Sequence, residues 1–394
     1  MLFRIIPRRS IDKIDSEFRA LLKKLDYNLI SEFESSFAAY ISCKNAIIVP
    51  SAGIGMRLIL ESLDLQEGDE IIVPAYTLEA LIGIIVSLGF KAIPADIDRY
   101  SFNITPESIL EKITFKTKVI IATHMFGNPC EIDRIVKIAK KRSIIVLEDC
   151  AHSLGSSFNG RKTGSFGKAS FFSFDTIKTI NTYGGGMVVT EDSVLYAKMR
   201  SNTLNNKFKN SIPYNKILFS FLEDKFSKTF MFLPVLYLLA SSWGNKSVYN
   251  LYRKIQSIVS SGNNYTDYQA YLGSVKLNAL ESRITKREKM FELLQRYLRK
   301  DIILQRIESN EKSNHYFLVL ISKVRAEEVR LKLLRYGIDA GIKSEIADNC
   351  AQILGFSDCP NAARLYDYGV QIPFYENMTT LDMIYMAKTV NSIL

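Results

Sequence analysis

From residue 45 to 190, short apolar runs alternate with amphipathic stretches. NAIIV (45–49), DEIIVP (69–74), KAIPADI (91–97), VIIATH (119–124), SIIVLED (143–149), ASFFSF (169–174) and GMVVT (186–190) are apolar almost without interruption. That is the pattern of strands buried on both faces. Between them RLILESLDL, ESILEKI and EIDRIVKIAKKR repeat apolar residues at helical spacing. The alternation predicts an α/β fold, a mostly parallel seven-stranded sheet covered by helices on both faces. Ligands of such sheets lie at the carboxyl ends of the strands, so the residues just after each run are the candidates for a site.

From about residue 265 the texture changes. YQAYLGSVKLNALESRITKREKMFELLQRYLRK predicts a long amphipathic helical region, HYFLVLIS a strand, AEEVRLKLLRYGI a helix and LDMIYMAKTVNSIL a last helix. This reads as a smaller α+β module over 263–394, following a large domain over 1–262.

An unusual segment at about 212–258 interrupts the large domain. IPYNKILFSFLEDKFSKTF is amphipathic, with Ile217, Leu218, Phe221, Leu222 and Phe226 tending to one face, and FMFLPVLYLLA (230–240) is an apolar run of eleven residues. A bilayer span needs about 20 apolar residues, so this run does not cross one. It reads either as a buried or dimer-covering helical hairpin, or as a peripheral membrane or lipid-binding element flanked by Lys207, Lys209, Lys216, Lys246, Arg253 and Lys254.

The 51 Lys and Arg against 41 Asp and Glu, a formal +10, fit an acidic partner such as phosphate, nucleotide, nucleic acid or an anionic surface. Five cysteines without a CxxC pair suggest a reduced, cytoplasmic setting, and three widely separated histidines argue against a histidine-rich metal site. The N-terminal MLFRIIPRRSIDK has no apolar core long enough for a secretory signal.

Three strand ends carry candidate chemistry. VPSAGIGMRL places Ser51, Ala52, Gly53 and Gly55 between a strand and a helix, where free N–H groups accommodate a phosphate. The GxG there lacks the third glycine of a dinucleotide fingerprint, Leu58 standing in its place, and a simple tight turn is an equal reading. In SIIVLEDCAHSLG, Asp149 emerges at the sheet edge, either to meet a cationic ring nitrogen or an arginine or to cap the next turn. His152 lies beside the same ligand or caps that turn. In FFSFDTIKTINTYGGG, Ser173 ends a strand and Lys178 follows five residues later. Most lysines are surface charges, but one near a buried sheet edge among aromatic residues has the setting of an amine nucleophile. Pyridoxal phosphate needs all these parts together: a lysine for a Schiff base, an acid at the pyridine nitrogen, and hydroxyls with helix N–H groups for the phosphate.

GDEIIVPAYT, the D-I-D at 96–98, ATHMFGNPCEID, LEDCAHSLGSSFNGRKTGSFG, FFSFDTIK and GGGMVVT resemble, in order and spacing, the DegT/DnrJ/EryC1/StrS family of sugar aminotransferases. The resemblance resumes at YQAYLGSVKLNALESRITKR and CPNAARLYDYGVQIPFYENMT. It implies a type I aspartate-aminotransferase-like fold and a homodimer with shared active sites. It also implies pyridoxal 5'-phosphate on Lys178, Asp149 at the pyridine nitrogen, and His152 in the position of the Gln or His that follows that acid. Ser173 would hold the phosphate with the backbone turn at Gly53 and Ile54. The implied reaction moves an amino group, typically from glutamate, to a keto-sugar bound to a nucleotide, so no nucleic-acid partner is expected.

The chain departs from the family pattern at several of these positions. Gly53 stands where a Thr is usual and Leu78 where the ring-stacking aromatic is usual, with Tyr76 as a substitute approaching from another direction. Gly184 stands where an acid is usual, and Gly262 and Asn264 fall where the partner subunit's Asn and basic residue reach the phosphate. Lys178 is intact, which argues against the dehydratase members, where a histidine replaces it. A non-catalytic regulatory or scaffold dimer, a dehydratase, and an aminotransferase for a lipid-linked substrate are the alternatives.

Overall fold

The computed structural model describes residues 5–11, 17, 19–21, 28–204, 211–240 and 264–394. Gly262 and the part of the unusual segment beyond residue 240 lie outside the described residues. All seven apolar runs form strands of one sheet: β1 (Asn45–Val49), β2 (Glu70–Pro74), β3 (Lys91–Ala95), β4 (Thr117–Thr123), β5 (Ile145–Asp149), β6 (Ala169–Ser173) and β7 (Gly186–Thr190), in the order β1-β7-β6-β5-β4-β2-β3. The pairs β6–β5, β5–β4, β4–β2 and β2–β3 are parallel, whereas β7 runs antiparallel to both β1 and β6.

Alternate side chains of each strand serve opposite faces. Ile71, Val73, Val119 and Ile121 pack under the helices Ala52–Ser62 and Glu79–Ser87, while Ile72, Ile120 and Ala122 pack with Ile132 and Ile135 of the helix Ile132–Lys140. On the same side as that second set, at the other end of the sheet, Phe172, Phe174, Met187 and Val189 meet Phe33 and Phe37 of the helix Leu29–Ile41. Burying both faces is why these strands read as unbroken apolar runs.

The parallel direction brings the ends of β1, β4, β5 and β6 to one edge, where the start of β7 meets them. Thr123, Asp149 and Phe171 are cross-strand neighbours, as are Ser173 and Gly186. Ser51 bridges to Gly185, whose φ of +92° and ring contact (a Cβ there would lie 2.2 Å from the Tyr265 ring) exclude any residue with a side chain.

Beyond residue 300, β8 (Ile303–Leu304), β9 (Leu318–Ile321), β10 (Gly341–Ile342) and β11 (Gly369–Ile372) form an antiparallel sheet in the order β8-β9-β11-β10. It packs on the helices Ala326–Leu334 and Thr380–Ile393, joined by Ile6 from the N-terminal segment, which bridges to Ile338. The long helical region divides into Asp267–Asn278 and Leu280–Tyr297. The strand expected at HYFLVLIS starts later, at Leu318. His315 has a φ of +50°, and the Arg287 guanidinium takes the carbonyls of Asn314 (3.0 Å), His315 and Tyr316 (3.0 Å) that would otherwise enter a ladder.

The apolar residues of the 212–227 stretch are divided between the interior and the surface. In the helix Tyr214–Ser227, Ile217, Ser220, Asp224 and Ser227 are buried, and Leu218, Leu222 and Phe226 are exposed. The inward turn of a carboxylate is explained by its donors: Asp224 accepts from Ser10 Oγ at 3.1 Å, the Ile11 amide at 3.0 Å and Lys228 Nζ at 2.7 Å.

Candidate active site

Lys178 rides on a turn directly after β6. Its amide donates to the Asp175 carbonyl at 2.9 Å, and the Asp175 carboxylate accepts from the Thr176 amide at 2.7 Å. The turn carries the Lys178 side chain back over the sheet edge, where Nζ lies 5.0 Å from the centre of the Tyr316 ring. Burial is the main influence on this amine and pulls its pKa from 10.5 down to about 8, against the opposing pull of Asp149 and Asp175. A fraction of Lys178 is therefore neutral, and nucleophilic, near neutral pH.

Asp149 is buried at the end of β5. One oxygen accepts the Ala151 amide at 3.0 Å, and the other has a long 3.4 Å contact from Thr123 Oγ1. Oδ1 caps the following turn, one of the two readings of this residue, and Oδ2 is engaged only by the long Thr123 contact. Burial pushes its pKa up, while the Ala151 amide and Lys178 pull it back.

His152 is buried with Nδ1 lacking a hydrogen-bond partner, and burial, then Lys178, hold it well below the usual imidazole range, so it is neutral. Its ring is stacked with Tyr316 at 4.5 Å and 23°, and with Phe126 at 6.2 Å and 15°. Any planar ring brought onto the face that Tyr316 covers takes the tyrosine's place.

The anion-cradle candidates lie along the same edge. The helix Ala52–Ser62 begins with Ala52 and Gly53, and Ser51 Oγ already accepts the Ile54 amide at 3.2 Å. A Cβ on Gly53 would lie 3.1 Å from Ile84 Cδ1, so the threonine usual here would be crowded by that side chain. Ser173 Oγ has a 3.5 Å contact from the Asp175 amide.

The remaining expected residues are not gathered so closely. Leu78, at the N-cap of the helix Glu79–Ser87, is 39% exposed. Tyr76 is fully buried with an unpartnered hydroxyl, its ring edge-on to Phe126 at 6.2 Å, within a core cluster that includes Phe102 and Val319. Asn264 is half-buried at the approach to the helix Asp267–Asn278.

Lys178 opens onto a cavity of about 660 Å³ that is also lined by Arg8, Arg9, Arg283, Lys286 and Arg287. Arg283 grips Glu376 with two bonds (2.7 and 2.8 Å) and also donates to the Thr179 carbonyl at 2.9 Å, tying the Lys178 turn to the C-terminal module. The sequence did not single out Tyr316, Asp175, Arg283 or the N-terminal arginines. An aromatic run at HYF and paired arginines at RR were the available signals, and neither has fixed spacing to Lys178.

Glu148 is a further buried carboxylate that the sequence reading passed over. It accepts the amides of Gly164 (2.8 Å), Phe166 (2.7 Å) and Gly167 (2.7 Å), and His124 Nε2 lies 3.0 Å from it. The Cys130 amide donates to His124 Nδ1 at 3.1 Å, which places the proton on Nε2, facing Glu148. His124, Glu148 and Cys150 lie close enough together to hold a metal, but these bonds already satisfy the histidine and the carboxylate.

The amine of Lys178 with its lowered pKa, the buried Asp149 and the small-residue turn at Ser51–Ile54 thus lie at one carboxyl edge of a seven-stranded α/β sheet. Residues 11–391 match the model of the DegT/DnrJ/EryC1/StrS aminotransferase family, and the chain belongs to that family. It is 41% identical over 169 residues to a GDP-perosamine synthase of Escherichia coli O157:H7, a match spanning 43% of this chain and 46% of that protein. The chain thus spans about half the length of that curated relative. An uncharacterized protein of Methanocaldococcus jannaschii matches at 29% identity over 92% of this chain and 89% of its own. Among solved structures, Helicobacter pylori PseC, an aminotransferase of pseudoaminic acid biosynthesis, superposes with a TM-score of 0.76 over 99% of this chain and 98% of its own; at 20% identity this likeness shows the fold alone.

The residues present fit pyridoxal phosphate. Lys178 would carry it, Asp149 Oδ2 has capacity for the pyridine nitrogen, and the turn at Ser51–Ile54 with Ser173 would hold the phosphate.

Proposed function

We propose that this chain is a pyridoxal-phosphate-dependent aminotransferase that transfers an amino group, with glutamate as donor, to a nucleotide-linked keto-sugar in polysaccharide or glycoconjugate biosynthesis. The observation that carries this reading is Lys178, an amine with a pKa of about 8 that faces Asp149 and opens on a large cavity rich in arginine. Bound there, the cofactor supplies the carbonyl that exchanges amino groups and the electron sink for the substrate carbon. Lys178 then moves the proton to and from that carbon, and Asp149 holds the proton at the pyridine nitrogen. His152, neutral and buried, would present to the cofactor ring the flat face that Tyr316 covers here. Arg9, Arg283 and Arg287 of the cavity are engaged by Glu223 and Glu376, so a diphosphate there would compete with these carboxylates for them.

The test is the visible absorbance of the purified protein with the cofactor. A band that disappears in Lys178→Ala, is lost on adding glutamate and returns on adding one member of a panel of keto-sugar nucleotides supports the reading. Absence of the band in the wild type leaves the regulatory or scaffold reading.

We also propose a cytoplasmic homodimer with shared active sites, checked by sedimentation velocity. Among the described residues no helix is long and apolar enough to cross a membrane. Peripheral attachment through 212–258 is supported by exposed Leu218, Leu222, Met231 and Leu238. Co-sedimentation with anionic liposomes that survives replacement of these four residues by serine would reject it.

A further inference from the structure

The helix Tyr214–Ser227 does more than fill the unusual segment, because it docks on the turn that carries Lys178. Ile217 is fully buried against Tyr183, Tyr268 and Leu272, which fixes the helix beside the glycine run. One residue earlier, Lys216 is 15% exposed and donates to Asp175 Oδ1 at 2.6 Å. A Cβ on Gly184 would lie 3.9 Å from the same Nζ, which places the ammonium at the mouth of the Gly184–Gly185 loop. At its other end the helix holds the N-terminal segment: Glu223 pairs with Arg9 at 2.7 Å, and Asp224 takes Ser10 and Ile11. Arg9, Ser10 and Ile11 line the Lys178 cavity.

We propose that Lys216 is a positioning residue of the active site, supplied by the chain's own inserted helix, which holds the Asp175 carboxylate and through it the turn that aims Lys178. Asp175 connects the two lysines by three bonds. Its Oδ1 receives Lys216 Nζ and the Thr176 amide, and its carbonyl receives the Lys178 amide. The proposal rests on the reading of Lys178 as the cofactor-bearing lysine.

Lys178 is faced by Asp149 and Asp175, by neutral His152 and by the Tyr316 ring, and Asp175 is faced in turn by Lys216 and Lys178. Removing the Lys216 charge leaves Asp175 unneutralised beside Lys178 and raises the pH at which Lys178 loses its proton. Removing the Asp175 charge lowers it. Each change is about one pH unit, the scale of a single neighbouring charge in a partly exposed setting.

The experiment compares full-length wild type with Lys216→Met, Lys216→Arg and Asp175→Asn. With the cofactor removed, the rate of Lys178 acylation by acetic anhydride is followed against pH by mass spectrometry. With the cofactor bound, the pH at which the visible band shifts is recorded. The expected result is an upward shift of the Lys178 titration in Lys216→Met, a downward shift in Asp175→Asn and near-wild-type behaviour in Lys216→Arg. Thermal melts within a few degrees of wild type identify variants that keep the fold, and Lys216→Arg serves as the folded control if Lys216→Met does not. A Lys178 titration unmoved by Lys216→Met, shifts of the same sign in Lys216→Met and Asp175→Asn, or an Arg variant displaced like either overturns the proposal. The acylation arm needs no cofactor, so a wild type without a visible band rejects the aminotransferase reading while the Lys216 result stands or falls separately.

Discussion

Replacing Lys178 by methionine changes how stability depends on pH. Burial brings the folded-state pKa of this lysine to about 8 from 10.5. A depressed lysine destabilises the fold wherever it must be charged, so the penalty is fully present below the folded-state value. It is relieved as pH rises from there to the unfolded-state value, a window in which only the unfolded chain holds the proton. At about 1.4 kcal/mol per pH unit, the whole window is worth about 3 kcal/mol, of which about 2.5 kcal/mol accrues between roughly pH 7 and pH 10. Other groups titrate over the same range, and the difference between wild type and Lys178→Met removes their contribution. Urea unfolding of both proteins without cofactor, at intervals of one pH unit, measures it. Wild-type stability should gain on the variant as pH rises, with most of the gain above pH 8. Parallel stability curves would refute the claim that Lys178 is a desolvated amine, and a gain in the opposite direction would mean that its carboxylate neighbours outweigh burial.

Glu148→Gln should destabilise by about 3–5 kcal/mol in urea unfolding, because whichever way the amide is turned its NH2 faces two of the four donors around that side chain; a change below about 1 kcal/mol would contradict the assigned bonds. Tyr316→Ala uncovers one face of His152, and stopped-flow absorbance should show pyridoxal phosphate loading several-fold faster than in wild type. Slower loading would mean that the tyrosine forms part of the cofactor site instead of covering it. Gly185→Ala combines a positive φ with a clash against the Tyr265 ring and should lower stability by about 2–4 kcal/mol, read by thermal melting against Gly68→Ala, where the positive φ meets open space.

The seven strands were legible because a sheet covered on both faces leaves few polar positions to confuse the pattern. The carboxyl-edge rule then selected Asp149, Ser173 and Lys178 without any knowledge of contacts. What escaped was set by contacts between segments distant in sequence. Tyr316 reaches His152 only because Arg287 holds the carbonyls of residues 314–316, delaying the strand and leaving HYF as a loop over the site. The packing of the 214–227 helix was hidden for a related reason. Its apolar residues marked one face without saying what covers it, and Asp224 and Ser220 turn inward because the N-terminal segment, some two hundred residues away, brings donors to the carboxylate.

The adjacent pair Glu148 and Asp149 shows where the strand-end rule is sharp and where it stops. Successive strand residues face opposite sides, so only one of two neighbouring carboxylates can look toward Lys178. Asp149 does so, and its charge opposes the burial of that amine. Glu148 points the other way and takes three amides of the 164–167 turn and the His124 proton. Because the His124 amide donates to the Asp149 carbonyl at 3.2 Å, the histidine on Glu148 also fixes the backbone from which Asp149 projects. Loosening Glu148 should therefore disturb cofactor retention as well as stability, although it touches neither Lys178 nor the cavity. Equilibrium dialysis of Glu148→Gln against pyridoxal phosphate, at a urea-free pH where the variant is still folded, decides this. Unchanged retention would confine Glu148 to the turn it caps.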